Sequence, residues 1–154
     1  MSASGLLTDA ELQAAFESCT LAREAWNHRA HVRMAFLYAS RQPLPWALAR
    51  MREGIQAYNA SQQISEALDR GYHETMTVAF MRLVYDALAR SGPLPDSESF
   101  CDRNSELLDR FVLRKFYSRE RIMTLEAKQR FVEPDLAELP GALGTRPAPV
   151  SELR

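Results

Sequence analysis

Proline placement constrains this chain more than any other feature. The prolines stand at 43, 45, 93, 95, 134, 140, 147 and 149, so none falls between 46 and 92 or between 96 and 133. A proline inside a helix removes a backbone donor and clashes with the preceding turn. Two long stretches are therefore free to be helical. Strand signals are poor, because β-branched residues are scarce and apolar and polar residues do not alternate over any sustained run. The expectation is an all-α protein. It is a single bundle of five or six helices over residues 1–135, followed by an extended or mobile Pro-rich tail over 136–154. A chain of 154 residues suffices for one domain with its own core.

Capping signals and apolar stripes place the helices. Thr8-Asp9-Ala10-Glu11 is a capping-box pattern and starts a first helix that runs to Phe16 or Cys19. The second runs from about Ala22 to Ser40. The third starts near Pro45, a favourable first-turn residue, and runs to about Asn59 with Leu48, Met51, Ile55 and Tyr58 as its stripe. Residues 60–70 are polar and can hold at most a short turn. A fourth helix runs from Tyr72 or His73 to Arg90, where Ser91-Gly92-Pro93 stops it. Asp96 or Ser97 caps a fifth that reaches about Phe116, with Leu107, Leu108, Phe111 and Val112 on its apolar face. Thr124 starts a short sixth.

Charge and cysteine content exclude several classes. Lys plus Arg is 19 against 20 for Asp plus Glu, a balance unlike that of a nucleic-acid-binding domain. Cys19 and Cys101 are too few for a disulfide framework and lack metal-type spacing. They read as small buried residues. No apolar run approaches the ~18–20 residues that span a bilayer, and the start of the chain lacks the pattern of a secretory signal. The expectation is a cytoplasmic protein that avoids nucleic acid and membranes, with homodimerisation left open.

The histidines carry the functional signal. There are three, His28, His31 and His73. On the second helix His28 and His31 lie one turn apart on a face flanked by Val32 and Met34, while Arg29 and Arg33 point to another sector and read as a solvated face or an anion contact. Glu24 falls between the two histidines in projection. On the fourth helix His73 heads the apolar stripe of Met76, Thr77, Phe80, Val84 and Ala87. Three inward imidazoles need partners for their nitrogens, and sharing a metal supplies them. His28, His31 and His73 are the candidate ligands of one divalent transition metal, and zinc, copper, iron and nickel all suit such a set. Three protein ligands leave a position open for water or substrate. Glu74 is a fourth ligand, a general base on metal-bound water, or an acceptor orienting a histidine. Tyr72 and Tyr38 are candidate acids or hydrogen-bond donors, and Trp26 is a core anchor or pocket wall. The plain alternative is a core network in which the imidazoles bond to Glu24, Glu74 or Tyr72.

These segments also carry a resemblance. Trp-x-His-x-x-His at 26–31, Gly-Ile-Gln-Ala-Tyr-Asn at 54–59 and Gly-Tyr-His-Glu-Thr at 71–75 resemble an uncharacterised family of small bacterial all-helical proteins. Tyr117-Ser118 and Phe131-Val132-Glu133-Pro134-Asp135 fit the same likeness, which covers residues 12–140. The resemblance implies a helical fold and no particular activity. In style the histidines are also similar to the three-His helical-bundle metalloproteins related to DNA-damage-inducible and thiol-transfer proteins, an architectural likeness only.

The functional expectation is a small metal-dependent enzyme acting on a small molecule, by hydrolytic, lyase or oxidative chemistry. His28, His31 and His73 would hold the metal, and Glu74 and Tyr72 would serve catalysis. The alternatives are a non-catalytic metal-binding module and a helical interaction domain with a buried polar histidine network.

Overall fold

The computed structural model describes residues 6–141. Seven helices form a bundle: α1 (Asp9–Glu17), α2 (His28–Ala39), α3 (Leu44–Ser61), α4 (Glu74–Ser91), α5 (Ser97–Arg103), α6 (Arg119–Ile122) and α7 (Leu125–Gln129). No strand occurs among the described residues, and one isolated bridge between Ala67 and Arg70 closes the polar connection before α4. The all-α expectation is met.

The capping box at Thr8 forms as read, with Thr8 accepting from the Glu11 amide at 3.1 Å and Glu11 accepting from the Thr8 amide at 2.9 Å. Helix α2 lies at the centre and packs against α1, α3, α4 and α5. Nearly all of it is buried, including Val32, Met34, Ala35 and Phe36. Its apolar residues face its neighbours on several sides, and its arginines are taken up by carboxylates, so the helix can sit in the middle of the bundle.

Two predicted helices are corrected. The second does not run unbroken from Ala22. Residues Arg23–Ala25 form a separate 3-10 turn, Trp26 leaves helical geometry, and Asn27 caps α2 by accepting from the Ala30 amide at 2.9 Å. Asparagine favours that role because its side chain replaces a missing backbone partner. Glu24 therefore lies outside α2 and is exposed, not placed between the histidines. The fifth helix stops at Arg103, well short of Phe116. Asn104 turns its side chain back onto the Phe100 carbonyl at 3.0 Å, and two 3-10 turns follow, Ser105–Leu108 and Val112–Lys115. Asparagine competes with the backbone in this way and ends helices. Leu107 and Val112 are buried as expected, whereas Phe111 is 48% exposed.

The predicted solvated arginine sector is also corrected. Arg33 is buried, donates to Ser97 Oγ at 2.7 Å and pairs with Asp9 at 3.2 Å, tying α1 to the start of α5. Arg29 pairs with Glu98. Neither guanidinium is left over for an anion. Part of the predicted tail is described. It passes through bends and a turn and lies against the bundle, with the Leu136 amide on the Phe116 carbonyl at 2.9 Å and Leu139 buried. The rest of that tail, 142–154, lies outside the described residues. No helix among the described residues is long and apolar enough to cross a membrane.

Candidate functional site

A cavity of about 210 Å³ sits where α2, α3 and α4 meet the 3-10 turns. His28 and His31 line it from the first turn of α2, and Met51 and Ile55 from α3. Helix α4 contributes Met76, Thr77, Phe80 and Met81, and the segment after α5 contributes Arg110, Val112 and Leu113. The wall is mostly apolar with a few polar groups, the usual make-up of a small-molecule site.

Each of its imidazoles is held by one nitrogen. His28 Nε2 donates to the Leu107 carbonyl at 2.8 Å, and the ring meets Phe80 edge-on with centroids 5.6 Å apart. His31 Nδ1 donates to the Asn27 carbonyl at 2.9 Å. A carbonyl only accepts, so these bonds fix the tautomers. His28 Nδ1 and His31 Nε2 have no hydrogen-bond partner among the described residues. Neither is sealed in, because Glu98 Oε2, which pairs with Arg33 at 3.4 Å, is the one fully buried side-chain nitrogen or oxygen among those residues without a hydrogen bond. Burial lowers the His31 pKa to about 4, against the opposing pull of the Asn27 carbonyl. The ring is neutral at physiological pH.

A stack of rings sets the angle of His31. Trp26 lies on it with centroids 3.8 Å apart, and Phe16 lies on Trp26 at 4.4 Å. Phe16 in turn presses on α3 at Gly54, where a Cβ would come within 2.5 Å of the Phe16 ring. Tyr58 closes the cluster, its hydroxyl donating to the Leu21 carbonyl at 2.7 Å. The Trp26 and Gly54-to-Asn59 segments thus meet at one place, behind the imidazole.

The residues at the start of α4 are arranged differently. His73 is the N-cap of α4, not a residue on its apolar stripe. Its Nδ1 accepts from the Met76 amide at 3.1 Å and its Nε2 donates to the Ile122 carbonyl at 2.9 Å. Both nitrogens are occupied, and burial lowers its pKa although the Ile122 bond opposes this. Glu74 takes a bidentate pair from Arg52, Nε to Oε1 at 2.9 Å and Nη2 to Oε2 at 2.6 Å. Its Oε1 also accepts from the Tyr72 hydroxyl at 2.7 Å. Arg52 first, then Tyr72, holds the Glu74 carboxyl below the usual range, while burial opposes them. Burial pushes Tyr72 up to about 12, with its bond to Glu74 adding and Thr77 opposing. A carboxylate this well paired is a poor base, and a phenol this high is a poor acid near neutral pH.

The predicted site residues therefore divide. The structure brings His28 and His31 to one cavity. It places His73, Glu74 and Tyr72 at the foot of α4, Glu74 bonded to Tyr72 and Arg52 and His73 to backbone groups, and none of these three lines that cavity. Among the described residues no group of three or more His, Cys, Asp and Glu side chains is placed to hold a metal ion. Tyr38 donates to Glu17 at 2.5 Å, away from all of this. Cys101 is buried, which raises its thiol to about 11, and Cys19 sits partly buried in a left-handed turn at φ 61°. Sequence reasoning missed Arg52 and Arg110. No local pattern singles out Arg52, and only its register against Tyr72-His73-Glu74 reveals its partner. Arg110 lies where a regular helix was expected, so nothing marked it as facing a cavity.

No protein-family model, curated protein or solved structure matches this chain.

Proposed function

We propose that the protein binds a small, largely apolar organic molecule in the cavity beneath His28 and His31, and that the two imidazoles are the polar groups that act on it. One observation carries this reading. Two imidazoles stand in an apolar wall, each fixed by a backbone carbonyl and each keeping one nitrogen without a partner. Such a nitrogen accepts a hydrogen bond from a bound N–H or O–H, and it can receive a proton in an acid–base step. Ligand screening by amide NMR on the labelled protein tests it. Binding compounds should shift the His28, His31, Thr77 and Phe80 resonances together, and His28→Asn should weaken them. Shifts confined to other surfaces would reject the site.

A metal-dependent version of the same function rests on a further detail. A histidine whose other nitrogen donates to a carbonyl is oriented as metal-ligating histidines are. His28 and His31 would supply two ligands and the substrate or water the rest. His73 could join only by giving up the Met76 amide and the Ile122 carbonyl. Metal content of the untagged protein separates the versions. About one equivalent of zinc, copper, iron or nickel, lost in His28→Ala and His31→Ala but kept in His73→Ala, would support a two-histidine centre. Loss in all three variants would restore the three-histidine site, and no metal after reconstitution would leave the metal-free reading.

A further inference from the structure

The cavity has a charged lip that the imidazoles do not explain. Arg110 is exposed, yet it lines the cavity, and it does so as the one charged residue among the described lining. It also lines a second hollow of about 150 Å³, which shares Met76 and Leu113 with the first. Arg110 thus stands at the seam between the two.

Arg110 is one of the described arginines that form no ion pair with a carboxylate, and what sets it apart is its place on the cavity. Arg29, Arg33, Arg50, Arg52, Arg90 and Arg130 each meet a carboxylate. Among the described residues Arg110 and Arg114 do not. Instead both guanidinium groups rest near the Phe111 ring, at 5.0 and 4.7 Å from its centroid. The exposed Phe111 that breaks the expected apolar face gathers two like charges around one ring, neither of them paired with a carboxylate among the described residues. Such a pair raises the local positive potential and attracts an anion. An apolar wall beside it strengthens that attraction by lowering the local dielectric.

Size and shape narrow the ligand. A cavity of ~150 Å³ lined by apolar side chains accepts benzene, so about 210 Å³ fits one substituted ring. Phe80, the imidazoles and the Met51, Met76 and Met81 side chains suit an aromatic body, since thioethers and ring edges pack favourably on rings. A single guanidinium reaching the cavity matches a singly charged, planar head, which is a carboxylate.

We infer that the natural ligand is a ring-sized carboxylic acid, its ring in the cavity under His28 and His31 and its carboxylate on Arg110, with Arg114 reinforcing the charge. This rests on the small-molecule reading above and names its chemical class. The probes are phenylacetate, 3-phenylpropionate and 4-phenylbutyrate, each beside its uncharged amide, titrated calorimetrically at low salt. At least one acid should bind about tenfold tighter than its amide. Arg110→Gln should abolish that preference and leave amide affinity within about twofold. Ile55→Phe, which fills the cavity, should weaken acid and amide alike. Equal binding of acids and amides, or a preference that survives Arg110→Gln, would overturn the acid assignment. If the amides still bind and Ile55→Phe still weakens them, the cavity reading stands without it. Binding of none of the six compounds would overturn both.

Discussion

The cavity under His28 and His31 and the foot of α4 are built from the same kinds of residue. Each holds imidazole, an arginine and aromatic rings, and each lies in a segment with a distinctive local sequence. At the foot of α4 every polar group has its partners, side chain or backbone. His73 uses both nitrogens, Glu74 uses both oxygens, and the Tyr72 hydroxyl donates to Glu74. In the cavity the polar groups stop halfway, with one nitrogen of each imidazole bonded and Arg110 without a carboxylate. A saturated cluster holds parts together, because any ligand must first break what is there. An unsaturated one in an apolar wall has capacity left for a ligand. Residue type is common to both places, and only the tally of hydrogen bonds separates them.

Substitutions should fall on the two sides of that line. The largest stability loss is expected for His73→Ala, which removes the cap of α4 and the bond to the 119–122 segment. The cost is about 2 kcal/mol, or roughly 4–8 °C in Tm, read by thermal melting. Ligand shifts at His28 and His31 should persist in the folded variant, and their loss would show that the His73 cap shapes the cavity through Met76 and Thr77. Gly54→Ala comes next. Crowding against Phe16 costs about 1–3 kcal/mol and better helix propensity returns about 1, so the net loss is about 1 kcal/mol. The near-ultraviolet dichroism of Trp26 should change with it, because Phe16 carries the push to Trp26 and His31. An unchanged spectrum would break the proposed link between that helix and the imidazole.

Glu74→Gln should cost about 0.5–1 kcal/mol at neutral pH, since Arg52 is partly exposed and screening limits the pair. The folded Glu74 pKa lies below its ordinary value, so its contribution is present above the unfolded pKa and is lost as pH falls through the folded one. The gap between wild type and variant should therefore close in acid, as denaturation curves at pH 7 and pH 3 would reveal. The effect that is smallest at neutral pH is a slope in pH. His31 has a folded pKa of about 4 against 6.5 for the free side chain. Between these values the unfolded chain binds the extra proton, so stability rises with pH through that window and falls as pH drops from 6.5 toward 4. His31→Asn should flatten the urea midpoint across that range, and a slope identical to wild type would contradict the burial of that ring.

Much of the scaffold was legible because its signals are local. The Thr8 capping box, the Pro43 and Pro45 start of α3 and the stop at Gly92 depend on residues within a turn of one another, and they appear close to where they were read. The misread stretches were those in which an asparagine outcompeted helix periodicity, at Asn27 and Asn104. For the site, the inward face of His28 and His31 was readable from the 3.6-residue period. The fate of His73 was not, because its partner is the carbonyl of Ile122, 49 residues away.

The sequence by itself determined the all-α class, the placement of most helix ends and the inward direction of the α2 histidines, since proline geometry, capping and periodicity act along a few neighbouring residues. Tertiary structure alone decided which polar groups end up matched and which stay open. The Leu107, Ile122 and Asn27 carbonyls, Arg52 and the Phe111 pair reach their partners only after the chain has packed. A hydrogen bond is local in space whatever the distance along the chain, and three histidines that look alike in sequence become two open acceptors and one closed cap.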